Sequence, residues 1–367
     1  MSLAKRAYDL LDPIAQSFVD RSRYRLRWLP RTKRHGLLVY PAGAKAALLI
    51  SADLELAWGW RYVRAHTHPL VLAQQKAEQT RRNMPLLLDL FDRYNVPVTW
   101  ATVGHLFLER CERSDGKAHP DLARPAYFAN EHWRYINGDW YDADPCSDFR
   151  RDPAWYAPDL IQAILSAKVK HEIACHTFSH IDCSDEYCPP EVMDAELGEC
   201  QRLAREWGIE LRSFVFPGNR VGNLASLKEH GFTAYRWHGR YELDLPQRDE
   251  HGLWRIPGGV CWEKPEAWPV KAWIMALKRC VDRALETGTV LHLWFHPSCE
   301  TVDVEEVFPS VLDYVVSSSN DLHIGTMGNL LGSLLDGGIL RLRPDIGCFD
   351  FSLACQRRSL IPESGAF

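Results

Sequence analysis

The apolar residues of the chain fall into short runs that alternate with longer segments of helical periodicity. Residues 47–52 form an apolar run closed by polar residues, and residues 70–94 carry apolar positions at helical spacing, such as Met84, Leu87 and Leu88. Most of the later runs are also followed by a helical pattern of 10 or more residues. Six further runs have the strand pattern: residues 98–103, 172–175, 213–216, 233–237, 289–295 and 322–324.

Seven strands alternating with helices favour a parallel sheet covered by helices. The chain has no Gly-rich dinucleotide fingerprint, and seven such units therefore fit a barrel better than an open doubly wound sheet. We predict an α/β fold, a (β/α)7-like barrel over residues 38–335. A basic segment, residues 1–37, precedes the barrel, and a tail, residues 336–367, follows it.

Two segments interrupt the alternation. Residues 105–156 are rich in aromatic and acidic residues and contain proline. The segment is too long for an ordinary connection and too aromatic for a disordered linker. Residues 239–269 contain Ile-Pro-Gly-Gly and several tryptophans, which predicts an irregular lobe. We expect both as insertions at the mouth of the barrel.

Composition and charge disfavour several classes of protein. Of 367 residues, 46% are hydrophobic and 25% are charged, as in soluble globular proteins. A net charge of −5 disfavours general nucleic-acid binding, and no apolar run approaches the roughly 20 residues that cross a bilayer. The first residues lack a signal-peptide pattern, so we expect a cytoplasmic protein. The eleven cysteines are scattered without Cys-x-x-Cys, so neither a disulfide scaffold nor a zinc ribbon is predicted.

Two histidines, His176 and His180, follow the third predicted strand four residues apart. On a helical turn they would face the same way and suit a first-row metal such as zinc. Fifteen histidines in 367 residues would produce such a pair about 0.6 times by chance, so the spacing alone is a weak motif. The position of the pair directly after a strand is what makes it informative.

Two carboxylates, Asp53 and Glu55, follow the first predicted strand, where barrel enzymes carry catalytic groups. One carboxylate with His176 and His180 would make a three-ligand site with an open position for water, as in catalytic zinc sites. The other carboxylate would be left to act as a base. The alternative is a helix N-cap beside a solvated acid.

The fourth and sixth strands end in further candidates. By strand periodicity His292 and His296 lie on one side, with His296 nearest the loop face and His292 one layer deeper, where a buried structural role is expected. The fourth strand ends in Pro217-Gly218, a tight turn whose N–H groups could face a developing oxyanion.

Together these segments resemble the NodB-type polysaccharide deacetylases. His-Thr-Phe-Ser-His at 176–180 matches the metal motif of the family, and Ser-Ala-Asp-Leu-Glu at 51–55 is similar to its first motif in an acid-x-acid form. Leu-Trp-Phe-His at 293–296 is similar to its last motif. Phe-Pro-Gly at 216–218 matches the third motif in part, because Val215 stands where the family has an arginine that orients the catalytic aspartate; Arg220 or Arg236 could replace it.

The resemblance implies a deformed (β/α)7 barrel that removes the acetyl group of an N-acetylated sugar with zinc or another divalent metal. It implies that Glu55, His176 and His180 hold the metal, and the family order makes Asp53 the base, although the roles of the two acids could be exchanged. His296 would protonate the departing amine and the Gly218 N–H would help to hold the oxyanion. Candidates for substrate contact are Arg220, Trp294 and Trp58.

Two other functions are open at this point. A barrel whose site has decayed at Val215 could bind carbohydrate without hydrolysing it. Alternatively, His176 and His180 could form a structural zinc knot with Cys183 and Cys188.

The expected location bears on the substrate. A cytoplasmic enzyme would act on a nucleotide- or lipid-linked precursor of a surface polysaccharide rather than on finished polymer. Residues 21–34 hold seven basic residues among Tyr, Leu and Trp, which could dock the barrel weakly on an anionic membrane surface. The alternative is one face of a folded N-terminal strand, because arginine recurs at every second position from residue 21 to 27.

Overall fold

The structure is a computed structural model that describes residues 32, 38, 40–63, 67–125, 138–239 and 242–336. The strands are β1 (Ala46–Leu54), β2 (Thr99–Thr102), β3 (Glu172–Cys175), β4 (Ser213–Val215), β5 (Ala234–Trp237), β6 (Leu243–Asp244), β7 (Gln247–Arg248), β8 (Trp254–Pro257), β9 (Val260–Cys261), β10 (Val290–Phe295) and β11 (Leu322–Gly325). The helices are α1 (Pro69–Tyr94), α2 (Pro158–Ser166), α3 (Pro190–Glu206), α4 (Leu224–Glu229), α5 (Val270–Thr287), α6 (Phe308–Ser317) and α7 (Met327–Asp336).

The central strand β1 is buried over its whole length, as expected for a parallel strand with both faces covered. Helix α1 begins at Pro69 and is capped at its C-terminus by Asn95, which takes a left-handed conformation with φ +53°. Its apolar side, which includes Met84 and Leu87, joins the main core. The predicted first βα unit is confirmed.

One curled sheet carries the fold. Its strands follow the order β6-β10-β1-β2-β3-β4-β5-β8-β7. From β10 to β8 every neighbouring pair is parallel, and β11 pairs in parallel with the first half of β1. All seven predicted runs are strands of this sheet, so the α/β barrel-type prediction is confirmed.

Residues 239–269 differ from the expected irregular lobe, because they contribute strands to the sheet. β8 pairs with β5, and β9, three residues later, pairs with β10, so this segment links the two ends of the parallel series. The connection requires glycine: Gly259 has φ +61°, and a Cβ there would lie 1.7 Å from the carbonyl oxygen of His292. Strands of two to four residues broken by Pro-Gly-Gly show no alternation that a sequence pattern could reveal.

The expected insertion at residues 105–156 is described over 105–125 and 138–156. These parts contain a short 3-10 helix, Gly104–Phe107, and an isolated bridge between Arg110 and Asp148. Trp140, Tyr141 and Tyr156 are buried in the main core. The described parts of the insertion are therefore ordered by packing rather than by regular strands or helices.

Among the described residues, no helix has both the length and the apolar character needed to span a bilayer. The basic stretch at residues 21–34 lies outside the described residues except for Thr32, which bridges to Leu243. The boundaries of the N-terminal segment and of the tail stay predictions.

Candidate metal centre

Five of the predicted side chains meet at the carboxyl edge of the parallel strands. Asp53 and Glu55 come from the end of β1, His176 and His180 follow β3, and His296 follows β10. Parallel strands bring their carboxyl ends to one edge, so residues far apart in the chain converge there. Within the described residues, Glu55 belongs to two groups whose ligand atoms are close enough for a metal, one with His176 and His180 and one with Asp53 and His296.

Glu55 is the carboxylate that lies against the histidine pair. Its Oε1 is 3.2 Å from Nε2 of His176 and 3.0 Å from Nε2 of His180. Nitrogen and oxygen ligands 2.0–2.1 Å from a tetrahedral zinc ion lie about 3.3 Å apart, close to these spacings. Burial would raise the pKa of Glu55, but the two imidazoles outweigh it and hold this pKa well below its ordinary value.

The far nitrogens of both imidazoles have partners. Nδ1 of His176 is 2.7 Å from the carbonyl oxygen of Val215, and Nδ1 of His180 is hydrogen-bonded to the hydroxyl of Tyr62. A proton on each Nδ1 leaves the two Nε2 lone pairs facing the Glu55 carboxylate. Histidines that bind metals are oriented in this way, so the donor set fits a divalent ion.

The expected helical turn at residues 176–180 is wrong. Thr177 and His180 both have φ +58°, a conformation that is uncommon for residues other than glycine. Backbone contacts from neighbouring segments hold the loop: the Gly104 N–H donates to the carbonyl of Thr177, and the Ser179 N–H donates to Glu196. The two imidazoles nevertheless converge, with ring centroids 4.9 Å apart.

Arg236 takes the position that the third motif leaves open. Its two terminal nitrogens each lie 2.6 Å from one oxygen of Asp53. Arg236 is the register partner of Val215 on the adjacent strand, so its guanidinium reaches the aspartate from β5. Burial raises the pKa of Asp53, but Arg236 outweighs it and the pKa lies below its ordinary value. Arg220, the other expected replacement, pairs instead with Asp182 at 3.2 Å.

His296 is held by an acid that sequence reasoning missed. Both its backbone N–H and its Nδ1 lie 2.8 Å from Oε1 of Glu263, and its Nε2 is 3.9 Å from Oε1 of Glu55. Burial lowers the pKa of His296, but Glu263 outweighs it, with Glu55 and Asp53 adding to the effect, and raises this pKa to about 9. No pattern in the sequence linked Glu263 to a histidine 33 residues away.

The aromatic candidates differ from expectation. Trp58 is completely buried and its indole N–H donates to the carbonyl of Trp155, so its predicted contact with substrate is wrong. Trp294 is 8% exposed, and the Arg236 guanidinium lies 5.0 Å from its ring, which makes it a support for that arginine. Trp60, which sequence reasoning did not select, is half-buried with its ring 5.5 Å from His296.

Two remaining expectations concern Gly218 and the zinc knot. Gly218 is exposed in the 3-10 turn Pro217–Asn219 with φ +56°, and its role stays a prediction.

Cys183 and Cys188 belong to none of the metal-ligand groups found among the described residues, and each Sγ lies 3.6 Å from a nearby backbone carbonyl. The zinc-knot alternative is wrong.

The polysaccharide deacetylase family model matches residues 75–235. The matched stretch includes His176 and His180, whereas Asp53, Glu55 and His296 lie outside it. No curated protein matches the sequence.

Three solved structures share the fold. A Mycobacterium smegmatis protein described as a polysaccharide deacetylase is 15% identical, with a TM-score of 0.57 over 82% of this chain and 93% of the other. A Pseudomonas aeruginosa PAO1 protein of the same description is 16% identical, with a TM-score of 0.56 over 80% and 92%. The allantoinase PuuE is 15% identical, with a TM-score of 0.56 over 80% and 92%.

The predicted resemblance to polysaccharide deacetylases is thus confirmed by a family match and by a shared fold. The family match also supports the expected class of enzyme, a hydrolase of carbon–nitrogen bonds other than peptide bonds.

The burial of His292 beside the centre can be tested through the pH dependence of stability. It is completely buried, with Nδ1 3.0 Å from the Pro257 carbonyl and Nε2 2.8 Å from the Ser51 hydroxyl. Burial, aided by Arg236, lowers its pKa to about 3. The unfolded chain binds this proton near pH 6.5, so the neutral form stabilises the fold above pH 6.5, and this stability is lost as the pH falls toward 3.

We expect the loss from His292 alone to reach about 2 kcal/mol by pH 5. Urea unfolding of the wild type and His292→Gln between pH 7 and 4.5 measures it, and the variant should show the shallower decline. The matched control is His251→Gln, at an exposed position, which should follow the wild type. Parallel curves for wild type and His292→Gln would contradict the assigned neutral form.

Proposed function

We propose that this chain, which carries a match to polysaccharide deacetylases over residues 75–235, hydrolyses the N-acetyl group of a sugar with the help of a divalent metal held by Glu55, His176 and His180. The observation that carries the proposal is the convergence of Glu55 Oε1 with the Nε2 atoms of both histidines, with Asp53 and His296 beside them. The family match supports N-deacetylation. Metal dependence and the residue roles are our inference.

The reaction adds water to the amide and releases acetate and an amine. When bound, the metal would polarise the acyl carbonyl and lower the pKa of a water molecule. Asp53 accepts a proton from the attacking water, since Arg236 keeps its carboxylate ionised and oriented. His296, protonated at neutral pH, donates to the departing nitrogen. The Gly218 N–H helps to stabilise the oxyanion.

The division of labour between the two acids follows from their partners. Glu55 lies against both imidazoles, whereas both oxygens of Asp53 are bound to Arg236. This arrangement supports Glu55 as the ligand and Asp53 as the base. The carbohydrate-binding alternative rested on valine at position 215. Arg236, at the neighbouring register position, binds Asp53 and so supports a working catalytic site instead.

For the substrate we propose an N-acetylated sugar carried on a nucleotide or a lipid. Trp60 offers a half-buried ring beside His296, and the ammonium group of Lys76 lies 5.0 Å from that ring. An indole suits the apolar face of a sugar, and a cation at the rim suits an anionic carrier. Arg220 adds a second, half-exposed cation on the loop after β4.

We expect Asp53→Asn and His296→Ala each to lower turnover by about 10²-fold or more, because a positioned base or acid contributes about 10²–10⁴. The measurement is acyl loss by mass spectrometry on a panel of N-acetylated and N-formylated nucleotide sugars and lipid-linked sugars. Both variants should retain bound metal. A wild-type rate in either would remove that residue from the mechanism, and an inactive wild type across the panel would contradict the function.

Arg236 and Arg220 form a matched pair for the missing motif arginine. We expect Arg236→Lys to lower kcat by about 10-fold or more, because lysine cannot bind both oxygens of Asp53 at once. Arg220→Lys should leave kcat near the wild-type value and alter KM alone. The same assay under saturating substrate separates the two effects. A larger loss of kcat in Arg220→Lys would reassign the supporting arginine.

We further propose that residues 21–34 give weak contact with an anionic membrane surface. Cosedimentation with anionic vesicles should exceed that with neutral vesicles and should fall as salt is raised. The triple variant Arg23→Ser, Arg25→Ser, Arg27→Ser should lose this excess. A control with equal charge change at the exposed Arg93, Arg212 and Lys228 should retain it. Equal, salt-independent binding to both vesicles would favour a soluble nucleotide sugar.

A further inference from the structure

A second cluster of ligand-type side chains lies in the insertion, apart from the centre described above. It consists of His105, Cys111, His119 and Asp144. Oδ2 of Asp144 is 3.0 Å from Nε2 of His105 and 2.9 Å from Nε2 of His119, and these two nitrogens are 3.1 Å apart. Sγ of Cys111 is 3.4 Å from the same carboxylate oxygen and 3.9 Å from Nε2 of His105.

The outer atoms of His105 and Asp144 already have partners, which directs their remaining lone pairs inward. Nδ1 of His105 is 3.1 Å from the carbonyl of Trp155, so that nitrogen carries the proton. Oδ1 of Asp144 accepts from the hydroxyl of Tyr156 at 3.0 Å and from the Cys146 N–H at 2.9 Å. The Nε2 of His105 and the Oδ2 of Asp144 are therefore two acceptors facing each other, an arrangement that a cation satisfies.

The cluster has the dimensions and the charge of a closed zinc site. Nitrogen and oxygen ligands of tetrahedral zinc lie about 3.3 Å apart, and pairs that include sulfur lie about 3.6 Å apart. One thiolate and one carboxylate neutralise a divalent ion, which suits a site whose His105 and Asp144 are buried. Four protein ligands leave no position for water, as in structural rather than catalytic sites. The thiolate favours zinc over magnesium or calcium.

We propose that His105, Cys111, His119 and Asp144 bind a structural zinc ion that anchors the insertion to the loop carrying His176 and His180. The rings of His105 and His119 lie 5.4 and 5.1 Å from the ring of Phe178, the middle residue of that loop. From the same insertion, the Trp140 indole N–H donates to the Ser179 hydroxyl at 2.8 Å. The ion would therefore stabilise the wall of the first centre, and the proposal stands independently of the proposed reaction.

Metal content separates the two sites. The full-length wild type should bind two zinc ions per chain, and the His176→Ala, His180→Ala double variant should keep one. Cys111→Ser should lose one ion while the other remains. Complete loss of metal from the double variant, or full retention of metal in Cys111→Ser, would overturn the proposal. This readout does not depend on activity, so failure of the proposed reaction would leave it intact.

Cobalt identifies the ligands. The candidate set Glu55, His176 and His180 contains no sulfur, so a thiolate-to-cobalt charge-transfer band in the wild type reports the second site alone. The band should persist in the His176→Ala, His180→Ala variant and should vanish in Cys111→Ser. It should also persist in Cys146→Ser, which removes a thiol outside the set that interacts with Cys111. Absence of the band in the wild type, or its loss in Cys146→Ser with retention in Cys111→Ser, would overturn the assignment.

X-ray absorption provides a measurement that does not require the cysteine variant to fold. Zinc in the His176→Ala, His180→Ala variant should show one sulfur at about 2.3 Å and three nitrogen or oxygen ligands at about 2.0–2.1 Å. A shell with no sulfur, or with two or more sulfurs, would contradict the four-residue set.

Discussion

Charge balance in a buried space is the constraint on which the rest of the site depends. Asp53 and Glu55 are almost fully buried at the edge of the sheet, where an unpaired carboxylate would be costly. Arg236 balances the charge of Asp53, and the inferred metal, shared with the two imidazoles, balances that of Glu55. Glu263 stabilises the protonated form of His296. Asp53, Glu55 and His296 thus acquire the protonation states that their proposed roles require. The strands and loops around them hold Arg236 and Glu263 at bonding distance.

Arg236 binds Asp53 from a strand next to the one that carries the third motif. Val215 and Arg236 are register partners on the parallel strands β4 and β5, about one strand spacing apart. A long side chain from either strand reaches the same carboxylate. Position 215 holds valine, but Arg236 reaches Asp53 from the neighbouring strand, and the carbonyl of Val215 accepts a hydrogen bond from Nδ1 of His176. A departure from a linear motif therefore does not by itself indicate decay of the site.

The insertion at residues 105–156 supports the same site through contacts with Ser179 and Glu196. Its Trp140 and Tyr141 bond to Ser179 and Glu196, which in turn hold the loop of positive φ angles between the two histidines. Strained backbone persists only where surrounding contacts over-determine it. The inferred second ion would add metal–ligand bonds within the insertion to these hydrogen bonds. The insertion would then help to hold the loop that carries His176 and His180.

The sequence by itself determined the seven strands, the parallel α/β class and five residues that meet at the centre, because burial of strands leaves a local apolar pattern and parallel strands send their carboxyl ends to one edge. Only the tertiary structure decided the conformation of the loop between the histidines, the choice of Arg236 over Arg220, the partnership of Glu263 with His296 and the burial of Trp58. These features arise from contacts between residues distant in the chain, and such contacts leave no periodic trace in the order of amino acids.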